Sequence, residues 1–503
     1  MRMRWILSIT ALISILGSSI SFCQTDQLPQ QQPAPQSQQQ PNTGTQSNTG
    51  GQQSVTPGQP IPAINPSTGQ PETPAPETSP VDTRPIAGAE DITPELPGST
   101  HSYLLPSFSV YQGLDSNAQL VSGTNHFVAA TVPTGFLDMN VAGRSNQLSI
   151  NFGGGGLLYD SSFSQSAGFA EGGFTDTYTS RRWSFLFSDR VSHLPEASGG
   201  FAGIGFGGGF NNAPLLGAGS GPGALNPIFT PGQSVLTGQF AALSNVSIAQ
   251  AQYAVNPTNS IAVTGSFGIQ HYAGGNNLQS SNDTLTVFSW DHQLTSTDSI
   301  SVSYSLVRYR YNGGAAAVND NLFRLGYAKR ISQRMTFIGM VGPQLIYSTE
   351  SLIPGTQHSV SVTGQASLNY RLQRMGFVVS YMHYVSPGSG VFLGANTDIA
   401  TVGATVHLRR TWDLSLSGSE SRNTQLAAYS VNPAFPTSGH PINYQYGTFR
   451  LSHVMGRYMR AFVIYELQHQ TSGISLVPGS TSTTLFRHII GIGFELHPRP
   501  VGL

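Results

Sequence analysis

The side chains able to do chemistry are few and scattered. His469 and Thr471 stand two residues apart. In a strand that spacing puts an imidazole base and a hydroxyl nucleophile on one face, with Ser472 on the other. Gly203, Gly205 and Gly208 have the spacing of a phosphate-cradling glycine loop. That chemistry needs a strand before the loop and a helix after it. The Gly- and Pro-rich stretch from Asn211 to Gly223 offers neither. Cys23 is the single cysteine, which excludes an intrachain disulfide and a thiolate metal site. His383, His407 and His453 lie apart, without metal-ligand spacing. No catalytic residue, cofactor or metal is expected. What remains is charge. Arg324, Arg371, Arg450, Arg460, Arg487, Asp413, Glu466 and Glu495 all fall on the polar side of alternating segments. If that side lines a pore, a ring of such charges sets ion selectivity. If the charges pair with one another, they brace the wall instead. Both readings stay open, and the mixed signs predict at most a mild preference for anions.

The composition says what could carry such a pore. Only 9% of the 503 residues are charged, against about 25% in ordinary soluble domains. Mean hydropathy is nevertheless −0.11. A bundle of membrane helices needs runs of roughly 20 apolar residues, which such a chain lacks. A β-barrel averages lipid-facing and lumen-facing residues along each strand and suits it. The net charge of −1, with basic residues dispersed, leaves no footprint for nucleic acid.

Three regions follow along the chain. Residues 1–23 have two arginines, an apolar run from Trp5 to Leu16 and a small, polar end, the layout of a secretory signal peptide. Ser21 and Cys23 can serve as the small residues of the cleavage site, so the mature chain would start at Gln24. A lipoprotein signal acylated at Cys23 and an uncleaved anchor over Trp5–Phe22 are the alternatives; Phe22 is bulky for the first. Residues 24–98 contain no Phe, Tyr or Trp and are rich in Gln, Pro, Thr, Ser and Gly. They cannot bury enough apolar surface to offset chain entropy, so a disordered periplasmic linker is expected. It would serve as a spacer or as a tether to peptidoglycan or periplasmic proteins.

From residue 99 to 503 aromatics appear and period-two alternation takes over. Over Ser359–Leu372, Val360, Val362, Leu368 and Tyr370 share one face, and Ser359, Ser361, Thr363, Gln365 and Asn369 the other. The stretches Ala400–Arg409, Trp412–Ser419 and 261–270 repeat the pattern. Short turns at Arg144-Ser145-Asn146, Arg181-Arg182, Pro257-Thr258-Asn259, Ser296-Thr297-Asp298, Ser332-Gln333-Arg334, Gln373-Arg374, Arg410-Thr411 and Gly456-Arg457 alternate with longer loops. The longer ones fall near 160–166, 194–240, 273–282, 313–317, 349–356, 387–394, 425–441 and 471–482. Short turns at one rim and long loops at the other define an all-β, antiparallel transmembrane barrel of about 18 strands, with 16 as the alternative. The weakest strands are the first two, near 103–113 and 134–142, and Pro106 interrupts the first. The 194–240 loop either stays outside as a flexible loop, the reading favoured here, or folds into the lumen.

In this pattern and layout, though in no specific motif, the chain resembles bacterial outer-membrane β-barrel proteins of porin-like size. The resemblance implies a Gram-negative outer membrane, contact with its lipid and an N-terminal arm in the periplasm. It also implies tyrosine girdles at the membrane interfaces, for which Tyr309, Tyr311, Tyr327, Tyr347, Tyr370 and Tyr384 are candidates. Many such barrels end in an aromatic residue; here Phe494 would serve, followed by a short tail. The stretch from His469 to Gly473 is also distantly similar to the His-x-Ser-Asn-Gly of outer-membrane phospholipase. Thr471 at the nucleophile position and the missing Asn depart from it, so no enzyme is expected. The expected function is a porin-like channel for passive diffusion of small polar solutes. A gated export barrel, for instance for polysaccharide, and a structural barrel are the alternatives. Oligomeric state is not legible.

Overall fold

The computed structural model describes residues 102–120, 126–160, 166–194, 235, 241–273, 278–312, 316–349, 356–372, 374–426, 441–472, 484–496, 498–499 and 501–502. The signal peptide and Gln/Pro-rich linker of the sequence reading lie outside them.

Eighteen long strands make the wall: β1 (Tyr103–Asp115), β2 (Val128–Ala142), β3 (Asn146–Tyr159), β4 (Ala167–Ser180), β5 (Trp183–Leu194), β6 (Ala241–Asn256), β7 (Asn259–Ala273), β8 (Ser281–Gln293), β9 (Asp298–Tyr311), β10 (Ala317–Ser332), β11 (Met335–Thr349), β12 (Thr356–Leu372), β13 (Met375–Ser386), β14 (Ala395–Arg409), β15 (Trp412–Gln425), β16 (Ile442–Met455), β17 (Met459–Ser472) and β18 (Thr484–Leu496). Each pairs antiparallel with the next. β18 closes the ring on β1, with Phe108 opposite Leu496 and Asp115 opposite Ile489. The two-residue β19 (Val501–Gly502) then pairs with Tyr103 and Leu104, so the C-terminal tail rejoins the sheet beyond Phe494. Closure satisfies every strand edge, which is what a strand needs where no water can reach it.

The first two strands, doubtful from sequence, are full members of the wall. β2 starts at Val128, six residues earlier than expected. Prolines are accommodated at gaps in the hydrogen-bond ladder. Between β2 and β3 the pairing skips Val132 and Pro133. Gly155 there lets the Pro133 carbonyl come so close that a Cβ would lie 2.2 Å from it. Between β10 and β11 it skips Gly342 and Pro343 in the same way, and a Cβ on Gly342 would lie 1.8 Å from the Phe323 carbonyl. Pro106 falls between the β18 and β19 pairings of β1. A residue without an N–H is tolerated where the ladder is already open.

Burial alternates along the strands, as in Phe108 exposed, Ser109 buried, Val110 exposed, Tyr111 buried. The outward set is a belt of exposed Phe108, Leu137, Phe152, Phe187, Phe267, Phe288, Leu325, Val341, Val362, Val402, Val463 and Ile492. Val360 is 76% exposed. No water-soluble protein presents such a continuous belt. Hydrocarbon is the solvent that fits it, and the barrel is a transmembrane one of outer-membrane type. At the short-turn rim the outward face carries Trp183, Trp290 and Trp412. Trp183 stacks with Phe185 at 5.6 Å and Trp412 with His453 at 4.4 Å. Of the tyrosines expected in girdles, Tyr327, Tyr347 and Tyr370 face outward. Tyr309, Tyr311 and Tyr384 do not: they are buried in the lumen, because they share strand parity with Ser305 and Ser380.

Candidate functional site in the barrel lumen

The inward positions put all eight charged residues singled out from sequence on the lumen side of their strands. Tertiary closure decides what they meet. Arg487 on β18 and Asp115 on β1 are both fully buried and joined side by side, Nη2 to Oδ2 at 2.6 Å and Nε to Oδ2 at 3.0 Å. The Asn117 amide and the Tyr159 hydroxyl also donate to Asp115. Near the short-turn rim Arg450 donates to Glu495. Arg460 lies 3.9 Å from both Glu495 and Asp413, and His407 meets Asp413 at 2.5 Å. The Arg450 guanidinium also covers the Phe462 ring at 4.6 Å. Arg324 donates to Ser305 at 3.0 Å. Asp320, four residues earlier on β10, accepts from Gln344 at 2.5 Å. Glu466 is buried and accepts from Gln468. Arg371 differs: it is exposed beside the Arg334–Arg374 turns.

Sequence reasoning missed the partners. Asp115, Glu171, Asp283 and Asp320 are all buried on the lumen face. The alternation of β1, β4, β8 and β10 carries that signal once strand bounds are known. With these acids counted, carboxylates at least match arginines on the lumen wall, and the expected mild anion preference loses its basis. A charge moved out of bulk water is costly unless paired, and pairing across neighbouring strands answers that cost. Two acids depart from this: the Glu171 carboxylate makes no hydrogen bond among the described residues and has Arg190 as its charged neighbour, and Asp283 is buried with no ion pair among the described residues.

Two chain segments fold into the lumen from the long-loop end. The first is the start of the β1–β2 connection. Ser116 and His488 exchange hydrogen bonds, Asn117 donates to the Phe486 carbonyl at 3.0 Å, and Leu120 is buried against Met382, Tyr384, Ile399, Tyr444, Tyr446 and Leu485. The second is residues 387–394 between β13 and β14, nearly all buried. Its Gly390 carbonyl accepts from the Gln279 amide at 2.8 Å. The Tyr309 hydroxyl donates to the Val385 carbonyl at 2.9 Å. Gly390 and Gly394 take φ of +77° and +88°, a region glycine enters without strain. A Cβ on them would also lie 2.6 Å from Tyr272 and 2.8 Å from Leu426. The loop thus runs from β13 and β14 to the lumen faces of β7 to β10. Of the long 194–240 loop, only Val235 is among the described residues beyond the end of β5. It is buried with Val391, Phe392, Ala395 and Ile442, on the lumen side rather than outside.

Below that loop, β9 presents Ser299, Ser301, Ser303 and Ser305 on one lumen-facing line, continued by Val307, Tyr309 and Tyr311. Four hydroxyls in register can each donate and accept. All four are buried, at most 3% exposed, and Ser305 accepts from Arg324 at 3.0 Å. The catalytic pairing considered from sequence lies elsewhere. His469 and Thr471 face outward, away from the lumen, and His469 Nδ1 is bonded to Gln445 at 3.1 Å.

No protein-family model matches the chain, and no curated protein matches it. Solved structures with similar architecture include Pseudomonas aeruginosa OpdQ, at 9% identity and a TM-score of 0.39, covering 79% of this chain and 98% of that one. Pseudomonas aeruginosa OccK2 (OpdF) in complex with glucuronate is 6% identical at a TM-score of 0.40, with 79% and 98% covered. Acinetobacter baumannii OccAB2 is 7% identical at 0.39, with the same coverage. The functional reading below is built on this chain's own residues.

Proposed function

We propose that this protein is a narrow outer-membrane channel for passive diffusion of small polar solutes. The observation that carries the reading is the 387–394 loop folded inside the closed 18-strand wall. A barrel of this strand number is wide enough for water unless something fills it. The loop narrows one side of the lumen. The lumen charges are mostly engaged with each other, which leaves little net field to sort ions. The same arrangement suits transport without catalysis. Residues 24–98 would extend into the periplasm as a spacer, with peptidoglycan or a periplasmic protein as the partner if they act as a tether.

The test is single-channel conductance of the refolded full-length mature chain in a planar bilayer, together with swelling of liposomes in isosmotic sugars and in organic anions of matched size. Steady conductance with entry of the sugars supports the reading. A folded, heat-modifiable barrel that neither conducts nor admits sugars refutes it and leaves the gated export and structural barrels.

A further inference from the structure

The short turns carry a charge pattern that diffusion through the lumen does not use. From β10 round to β17 each turn at that rim holds an exposed arginine: Arg334 between β10 and β11, Arg374 between β12 and β13, Arg410 between β14 and β15, and Arg457 between β16 and β17. Neighbouring turns stand roughly 12 Å apart along a wall of tilted strands. None of the four makes an ion pair among the described residues. Backbone bonds fix the first three turns to the hairpin that follows. The Arg371 amide donates to the Arg334 carbonyl at 2.7 Å, the His407 amide to the Arg374 carbonyl at 2.7 Å and the Val454 amide to the Thr411 carbonyl at 2.9 Å.

Just above these turns the outward face is apolar. Ile331, Leu372, Leu408, Met455, Met459 and Leu496 are all exposed. With Trp412 stacked on His453 at the same level, they mark the boundary between hydrocarbon and headgroups. From β11 to β18 no carboxylate stands on that outward level among the described residues. The acids of this rim are otherwise engaged. Asp413 and Glu495 face the lumen and meet His407, Arg450 and Arg460. Asp298, at the β9 end of the arc, lies 3.2 Å from Lys329 and accepts from the Tyr327 hydroxyl at 2.7 Å.

The short turns of a bacterial barrel face the periplasm, so this arc meets the periplasmic leaflet. We propose that it binds acidic phospholipids of that leaflet, with a phosphodiester headgroup that carries no ammonium, as in phosphatidylglycerol. The phosphates sit on Arg334, Arg374, Arg410 and Arg457, and the acyl chains lie over Ile331, Leu372, Leu408 and Met455. The planar fork of arginine suits bidentate contact with phosphate. A row of basic residues beside the bilayer attracts net-negative lipid, and a zwitterionic lipid brings its own ammonium and loses most of that attraction. The inference rests on the barrel spanning a membrane, not on the channel being open.

The test is native mass spectrometry of the delipidated full chain in detergent, offered equal amounts of phosphatidylglycerol and phosphatidylethanolamine with matched acyl chains. The expected result is preferential retention of phosphatidylglycerol, about fivefold at each arginine, falling when the complex is washed at high salt. R334Q, R374Q, R410Q and R457Q combined should bring the ratio close to one. R422Q, at the opposite rim, should leave it unchanged. Heat-modifiable mobility confirms that each variant folds. Equal retention of the two lipids, no retention, or a preference that survives the four substitutions overturns the proposal. A preference lost equally in R422Q overturns its placement at the short turns. Glycerol phosphate or an acidic peptide displacing the lipid at equal concentration also overturns it, and assigns the arc to a soluble anion or to a protein. Conductance is not a readout here, so failure of the channel reading and of this one are distinguishable.

Discussion

Removing the inward loop should widen the pore by an amount set by the barrel's dimensions. The perturbation is excision of residues 387–394, with Ser386 joined to Ala395 through an Asn-Gly turn suited to a two-residue hairpin. Strands spaced about 4.8 Å and tilted roughly 40° place an 18-strand wall at a radius of about 18 Å. A side-chain layer of about 6 Å leaves a bore of about 12 Å radius, or roughly 450 Å². The loop links β13 and β14 to β7 through β10, about a third of the way round, which is a chord of roughly 20 Å in that bore. One packed chain layer is about 10 Å thick, so the loop shadows about 200 Å² of the opening. Its removal should raise single-channel conductance close to twofold, read in a planar bilayer on protein shown to be folded by heat-modifiable mobility. Unchanged conductance in a folded variant would mean that the loop lies outside the conducting path, and the constriction argument would fail.

Three further outcomes follow from the lumen wall. Asp115→Ala leaves Arg487 buried without its carboxylate and should cost about 3–5 kcal/mol in urea unfolding of the detergent-refolded barrel; a loss below about 1 kcal/mol would show that Arg487 finds water or another partner. The native channel should show a reversal potential near zero in a salt gradient, because lumen acids match lumen arginines. Asp413→Asn, which loosens Arg460 and His407, should shift it toward anions; a native channel already strongly anion-selective would refute the pairing argument.

The sequence by itself determined the local order of this protein. Alternation in segments such as Ser359–Leu372 settled strand identity and which residues share a face, because a strand turns its side chains over at every residue whatever surrounds it. Short turns such as Arg181-Arg182 and long connections such as 425–441 set the two unlike rims and a count of about 18 strands, with 16 left open until the first two were seen in the wall. Faces, however, are not contacts. Arg487 and Asp115 are 372 residues apart and meet only because β18 closes on β1. Tyr309 and Tyr384 could be girdle or lumen until strand parity was anchored to a closed wall. The inward course of 387–394 depends on Gln279, just before β8, and on Tyr309 of β9, both remote in the chain, and the burial of Val235 depends on Val391, Phe392, Ala395 and Ile442. The arginine arc draws on successive turns from β10 to β17, and no one of those turns carries it. Tertiary structure decided these features because each is an energy of side chains brought together by closure, and a periodic pattern within one strand holds no record of its distant neighbours.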